Sequence, residues 1–91
     1  MLFVANGDHL HVNFRYNWVR NEEDYTVTRS VECRIYTPDN HLVLGEATCS
    51  KSDKYVKSKG RKLAFTRAVN HFHQKETRAQ LWGEYHRKIK K

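Results

Sequence analysis

Cysteines, glycines and long apolar runs are scarce in this chain of 91 residues, and each scarcity excludes a class of protein. Two cysteines, Cys33 and Cys49, are too few for a disulfide scaffold, so we expect reduced thiols in a reducing compartment. The four glycines form no phosphate-cradling loop. No apolar run approaches membrane-spanning length, and residues 1–4 are too short for a secretory signal. We therefore expect a soluble, cytoplasmic protein without a membrane partner.

Motifs for catalysis and metal binding are also missing. The six histidines and two cysteines form no CxxC motif and no HxxxH motif with a following ligand pair. A nucleophile elbow, a P-loop and an HExxH spacing are likewise absent from the sequence. We therefore expect no enzymatic activity, no metal and no cofactor.

The first half of the chain has the two-residue periodicity of β-strands. Apolar and polar side chains alternate from Leu10 to Trp18, which predicts a strand with one buried and one solvated face. Asn6 and Gly7 precede it and predict a hairpin turn, so residues 2–5 are expected to add a short edge strand.

Two more strands are predicted before residue 50. A second strand begins at Tyr25, residues 38–40 turn the chain, and a third strand covers residues 41–49. In this hairpin Cys33 is expected to lie opposite Gly45, which leaves the two cysteines apart. The three long segments predict an antiparallel meander.

The second half changes to helical periodicity. Residues 61–72 carry an apolar stripe, and Gly60 weakens the pattern before it, so the first helix is expected to begin near Lys59. A basic loop then covers residues 51–58, and a second helix covers residues 75–89. The candidate N-caps are Ser52, Asp53 and Ser58.

These elements predict one α+β domain over residues 1–91. Residues 1–50 form an antiparallel sheet of three or four strands, and residues 51–91 form the basic helical part. The element order is β-β-β-α-α, and both C-terminal helices are expected to pack on one face of the sheet.

Positive charge is concentrated in the helical part. Residues 1–50 carry four arginines and seven acids, a net charge of −3, whereas residues 51–91 carry thirteen cations and three acids, a net charge of +10. All nine lysines follow residue 50. A local field of this strength attracts polyanions.

The densest cluster of cations surrounds the expected start of the first helix. Cations at a helix N-terminus oppose the macrodipole, so their placement favours a functional explanation. Phosphates bound there would meet side chains and free backbone N–H groups together. The candidate residues are Lys54, Lys57, Lys59, Arg61, Lys62 and Arg67. Two alternatives remain open: a solvated face that only maintains solubility, and a surface that binds an acidic protein.

Aromatic side chains add candidates for base stacking. Most of them follow core periodicity, but Tyr36 falls on the polar side of its strand and Tyr55 lies in the basic loop, so these two are the stacking candidates. Leu63 lies off the apolar stripe of its helix and is a candidate protein contact or dimer seam.

The basic segment resembles small bacteriophage accessory proteins of unknown function. Residues 45–50 (GEATCS), Asp53 and residues 59–69 (KGRKLAFTRAV) are similar to a strand, basic loop and helix found in those proteins, and residues 75–85 resemble their endings. The resemblance implies a phage accessory origin.

A weaker resemblance is to the β-β-β-α half of double-stranded RNA-binding domains. In those domains the lysines that begin a helix grip phosphates across a groove. The matching positions are Lys57, Lys59, Arg61 and Lys62. This chain opens with strands instead of the helix that reads the minor groove, so the resemblance implies no RNA specificity.

The leading hypothesis is a non-enzymatic accessory protein that binds the phosphates of DNA or RNA largely without sequence specificity. The rival is an anti-defence or host-takeover protein that inhibits an acidic host protein. The sequence is compatible with a monomer or with a homodimer joined through an edge strand or through Leu63.

Overall fold

The computed structural model describes residues 1–20, 22–23, 25, 27–49 and 56–89. Its elements are β1 (Leu2–Ala5), β2 (Asp8–Arg20), β3 (Val27–Tyr36), β4 (Leu42–Thr48), α1 (Lys57–Val69) and α2 (Lys75–Lys88). The strands form one antiparallel sheet in the order β1-β2-β3-β4. Both helices contribute to a single core on one face of that sheet. The predicted α+β arrangement is therefore confirmed.

Turn residues determine the register of the sheet. Asn6 and Gly7 have φ angles of 52° and 79°, the left-handed conformation that a two-residue hairpin needs, and they join β1 to β2 as predicted. Asn40, with φ of 66°, lies in the turn between β3 and β4. Cys33 pairs with Gly45, which confirms the expected register, and no disulfide joins Cys33 to Cys49.

The core is centred on Phe65 of α1. Its ring meets Phe3 edge-on with the centroids 5.8 Å apart and stacks on Tyr85 at 4.6 Å. Strands and helices both supply fully buried side chains, among them Val12, Val31, Ile35, Val69 and Leu81. Non-directional burial of this apolar surface holds the two layers together.

A close backbone approach positions α1 on the sheet. A Cβ atom at Gly45 of β4 would overlap the carbonyl oxygen of Ala64 and the backbone nitrogen of Ala68. Ala64 and Ala68 are themselves fully buried. The contact between α1 and β4 therefore depends on small residues on both sides of it.

The second helix closes the free edge of β1. The Glu84 carboxylate accepts a hydrogen bond from the Val4 N–H at 2.8 Å, and Gln80 and Lys88 bond to the backbone on either side of Val4. An unpaired strand edge is a template for pairing with another chain. Here three side chains of α2 form hydrogen bonds with backbone groups at this edge, so those groups are not available to another strand.

The paired strands β2 and β3 extend beyond the helices. A strand of 13 residues spans about 43 Å, whereas helices of 13 and 14 residues span about 20 Å. Pairing runs without interruption to the Arg20–Val27 pair, and the molecule is 47 Å long. We call residues 16–20 and 27–29 the arm, because they lie at the end of the sheet that the helices leave uncovered.

Two expectations about the strands are wrong at the arm. The apolar face of β2 was expected to be buried as far as Trp18, yet Tyr16 is 41% exposed and Trp18 is 64% exposed. Tyr25 was expected to begin the second strand, but it lies before β3, with φ of 57° and 80% of its surface exposed. The exposure of Tyr16 and Trp18 does not conflict with local periodicity, because periodicity gives only the face on which a side chain lies, and the helices that cover this face do not reach the arm.

The helix boundaries are close to the predicted ones. Helix α2 covers Lys75–Lys88 against an expected 75–89, but α1 begins two residues before Lys59. Its N-cap is Val56, which supplies no side-chain hydrogen bond, and Ser58 lies inside the helix and is not the cap. The other cap candidates, Ser52 and Asp53, lie outside the described residues.

In the described part of the chain, no helix has the length and apolar character needed to cross a membrane.

Candidate nucleic-acid interface

Five of the six predicted cations lie on α1, and they face different directions. The sixth, Lys54, and the stacking candidate Tyr55 lie outside the described residues. Lys59 and Lys62 are exposed and about 60° apart around the helix axis, with Lys59 on the outer side, opposite the buried residues of α1. Leu63 lies on the same outer side and is 43% exposed.

Two of the cations face β2. The Lys57 ammonium lies 4.4 Å from the centre of the Tyr16 ring. Arg61, one turn later, is half-buried, and its Nε has no hydrogen-bond partner in the described part of the chain. Burial lowers the pKa of Arg61, but hydrogen bonds with Tyr16 and Tyr85 raise it, and the net direction is upward. Arg61 therefore stays charged within the packing between helix and sheet.

The last cation of the set lies beside the other edge of the sheet. Arg67 is exposed, and its guanidinium donates a hydrogen bond to the backbone oxygen of Glu46 in β4 at 2.6 Å. The described cations therefore do not form one continuous surface. Lys59 and Lys62 face solvent, Lys57 and Arg61 face β2, and Arg67 faces β4.

A groove between the arm and the start of α1 combines charge with exposed aromatic surface. It has a volume of about 220 Å³, and its lining residues are Tyr16, Asn17, Trp18, Arg29, Ser30 and Lys57. The Arg29 guanidinium carbon lies 4.3 Å from the centre of the Trp18 ring, and Lys57 lies against Tyr16 at a similar distance. Cations near aromatic faces are attracted by the ring quadrupole.

The pairing of strands explains why these groups meet. Side chains two residues apart on a strand point to the same face, so Tyr16 and Trp18 are neighbours about 6.7 Å apart along β2. Arg29 of β3 is directly opposite Trp18. The groove is therefore a continuation of the core face of the sheet, past the point where helix coverage ends.

Sequence reasoning assigned Tyr16 and Trp18 to the core and missed them as surface groups. The available signal was a difference in length. The alternating pattern from Leu10 to Trp18 spans about 30 Å, whereas the helices that were expected to cover it span about 20 Å each.

Tyr36 lies on the opposite face of the sheet from the groove. It is 36% exposed, and the residues paired with it are His11 of β2 and Leu42 of β4. Leu42 and Leu44 are each 44% exposed on this outer face. Tyr36 therefore does not share a surface with the cations of α1.

The other candidate chemistries have little support among the described residues. They contain no group of three or more histidine, cysteine, aspartate or glutamate side chains placed to hold a metal ion. Burial raises the pKa of the Cys33 thiol to about 12, so this cysteine is protonated at neutral pH and is a poor nucleophile.

Comparison of the chain with protein-family models, with curated proteins and with solved structures finds no match.

Proposed function

We propose that the protein is a small accessory protein that binds the backbone of DNA or RNA largely without sequence specificity. The observation that carries the proposal is the groove in which Trp18 and Arg29 lie beside Tyr16 and Lys57. Aromatic rings interleaved with cations are the recurring means by which proteins hold nucleic acid without reading its sequence. The resemblance to phage accessory proteins implies an accessory origin and no mechanism, so the groove alone carries the proposal.

Electrostatics around the start of α1 supports phosphate binding. Helix α1 has no acid in its first turn and no side-chain cap at Val56, so neither of these supplies a negative charge to its positive end. Lys57 lies at this end, and exposed Lys59 and Lys62 follow within two turns. A phosphate backbone that passes the groove would meet this positive charge.

Salt dependence tests the proposal directly. Fluorescence anisotropy with labelled single-stranded and duplex oligonucleotides of DNA and RNA is measured at rising salt. Contacts with about three phosphates predict a slope near −2 to −3 in a plot of log affinity against log salt. Absence of binding to every oligonucleotide at low salt refutes the proposal.

A matched pair of charge reversals locates the interface. Lys57 and Lys75 are exposed and are the first residues of α1 and α2. Lys57→Glu is expected to weaken binding by about five- to tenfold, because it adds repulsion to the loss of one contact. Lys75→Glu makes the same change in net charge and is expected to weaken binding less than twofold. Equal effects of the two substitutions would mean that binding affinity depends only on net charge and not on a contact at Lys57.

A second proposal is inhibition of a host protein, favoured by the uncovered outer face of the sheet. Leu42, Leu44 and Tyr36 are exposed there together, and such apolar surface is typical of a protein contact. The test is a pull-down from nuclease-treated host lysate. A partner that survives nuclease and is lost on Leu42→Glu with Leu44→Glu, two substitutions on this outer face, supports this proposal. Loss of all partners on nuclease treatment refutes it.

A further inference from the structure

Trp18 is the largest exposed side chain of the groove, and its position is unusual for a tryptophan. It lies on the core face of β2, yet 64% of its surface is exposed because the helices end before it. The Arg29 guanidinium lies against the ring at 4.3 Å and restrains it. A large planar ring is thus held in place on a strand while much of its surface remains in contact with water.

We infer that the groove binds single-stranded nucleic acid by stacking a base on Trp18. This inference rests on the proposed function and names the class of nucleic acid that the site selects. Aromatic side chains on a sheet surface that stack unpaired bases are a recurring mode of recognition. The ring supplies the stacking surface, while Arg29 and Lys57 lie close enough to meet the neighbouring phosphates.

Charge on this face of the arm fits a nucleic-acid strand. From Tyr16 to Arg20 the side chains on the groove side of β2 are tyrosine, tryptophan and arginine, and those opposite on β3 include Arg29 and Val27. None of them is acidic. Within the described residues, two aromatic rings and two arginines therefore share one face with Lys57 of α1.

A duplex cannot use Trp18 in the same way. In double-stranded DNA and RNA the base faces are covered by their neighbours, and only base edges reach the grooves. The Trp18 ring therefore contacts no base face unless the duplex is opened. Phosphate contacts with Lys57 and Lys59 remain possible with a duplex, so affinity is expected to fall without vanishing.

The experiment compares four proteins on two ligands. The wild type, Trp18→Ala, Trp18→Phe and Tyr36→Ala are titrated by anisotropy with a labelled oligo-dT strand and with a duplex of equal length. Trp18→Ala is expected to weaken single-strand binding by about 5- to 100-fold and to change duplex binding less than twofold. Trp18→Phe keeps a stacking ring and is expected to retain most of the affinity. Tyr36→Ala removes an exposed aromatic from the opposite face and is the control.

A second readout reports stacking without relying on the alanine variant. Oligo-dT is expected to quench the tryptophan fluorescence of the wild type through Trp18. The quenching should be lost in Trp18→Phe, because the remaining Trp82 packs against Phe65 in the core. Far-UV circular dichroism of each variant verifies that the fold is retained.

The outcomes separate this inference from the proposed function. Equal affinity for both ligands, with no effect of Trp18→Ala and no quenching, overturns the inference while leaving phosphate binding intact. No binding to either ligand overturns both. Light scattering completes the test by measuring the oligomeric state of the wild type and of Trp18→Ala. The inference is wrong if the wild type is a dimer and Trp18→Ala is a monomer that keeps wild-type affinity for oligo-dT, because the arm is then a protein contact.

Discussion

Replacing Gly45 tests how α1 is seated on the sheet. A Cβ at this position overlaps backbone atoms of Ala64 and Ala68 and lies 2.9 Å from the Cα of Ala68. Because backbone atoms cannot move aside as flexible side chains do, Gly45→Ala requires α1 to shift away from β4. Overpacking of this kind lowers the free energy of unfolding by about 1–3 kcal/mol. Because a whole helix must move, we expect a loss near the upper limit of that range.

The expected loss is large relative to the stability of a domain of this size. A loss of about 3 kcal/mol lowers the Tm by about 12–24 °C, since each kcal/mol corresponds to about 4–8 °C in a small domain. Thermal unfolding followed by far-UV circular dichroism measures it. The urea midpoint provides a second estimate of the same loss.

Gly83 supplies a control for the same substitution. It lies on the exposed side of α2, and a Cβ there meets no atom within 4 Å. Gly83→Ala is therefore expected to stabilise the protein by about 0.5–1 kcal/mol through helix propensity. If Gly45→Ala unfolds within about 2 °C of the wild type, α1 does not approach β4 as closely as described.

Two further predictions concern ionisable groups in the fold. A hydrogen bond from the backbone of β1, with the charges of Arg87 and Lys88, lowers the pKa of Glu84. The contribution of ionised Glu84 to stability is therefore present above its unfolded pKa of about 4.3 and is lost as the pH falls through the lower folded value. Glu84→Gln should flatten the dependence of the urea midpoint on pH in that acidic range, and an unchanged slope would contradict the assignment. Cys33, with its pKa raised to about 12 by burial, should react with a thiol reagent at neutral pH only as fast as the protein unfolds. Labelling in the native state at the rate of an exposed thiol would show that it is accessible.

Much of the sheet was predictable because its signals are local. Asn6 and Gly7 specify a two-residue hairpin by their own conformational preferences, and that turn sets the pairing of β1 with β2. The turn before β4 likewise places Cys33 opposite Gly45. The start of α1 was missed by two residues because Val56 offers no capping side chain to mark it.

The candidate site was predictable only in part, because its members come from distant segments. The charge around the start of α1 is evident in the sequence, but the direction of each cation is not. Arg61 packs beside Tyr16 and Tyr85, Arg67 turns to β4, and Lys57 joins a groove made by strand residues 27 to 41 positions earlier.

The sequence by itself determined the order of strands and helices, the alternation of faces along each strand, and the concentration of positive charge after residue 50. The tertiary structure decided which apolar side chains are covered and which cations share a surface. The physical reason is that periodicity reports only which side of an element a residue occupies. Whether that side is buried depends on the length and position of the element packed against it, and here two short helices leave the end of a long hairpin uncovered.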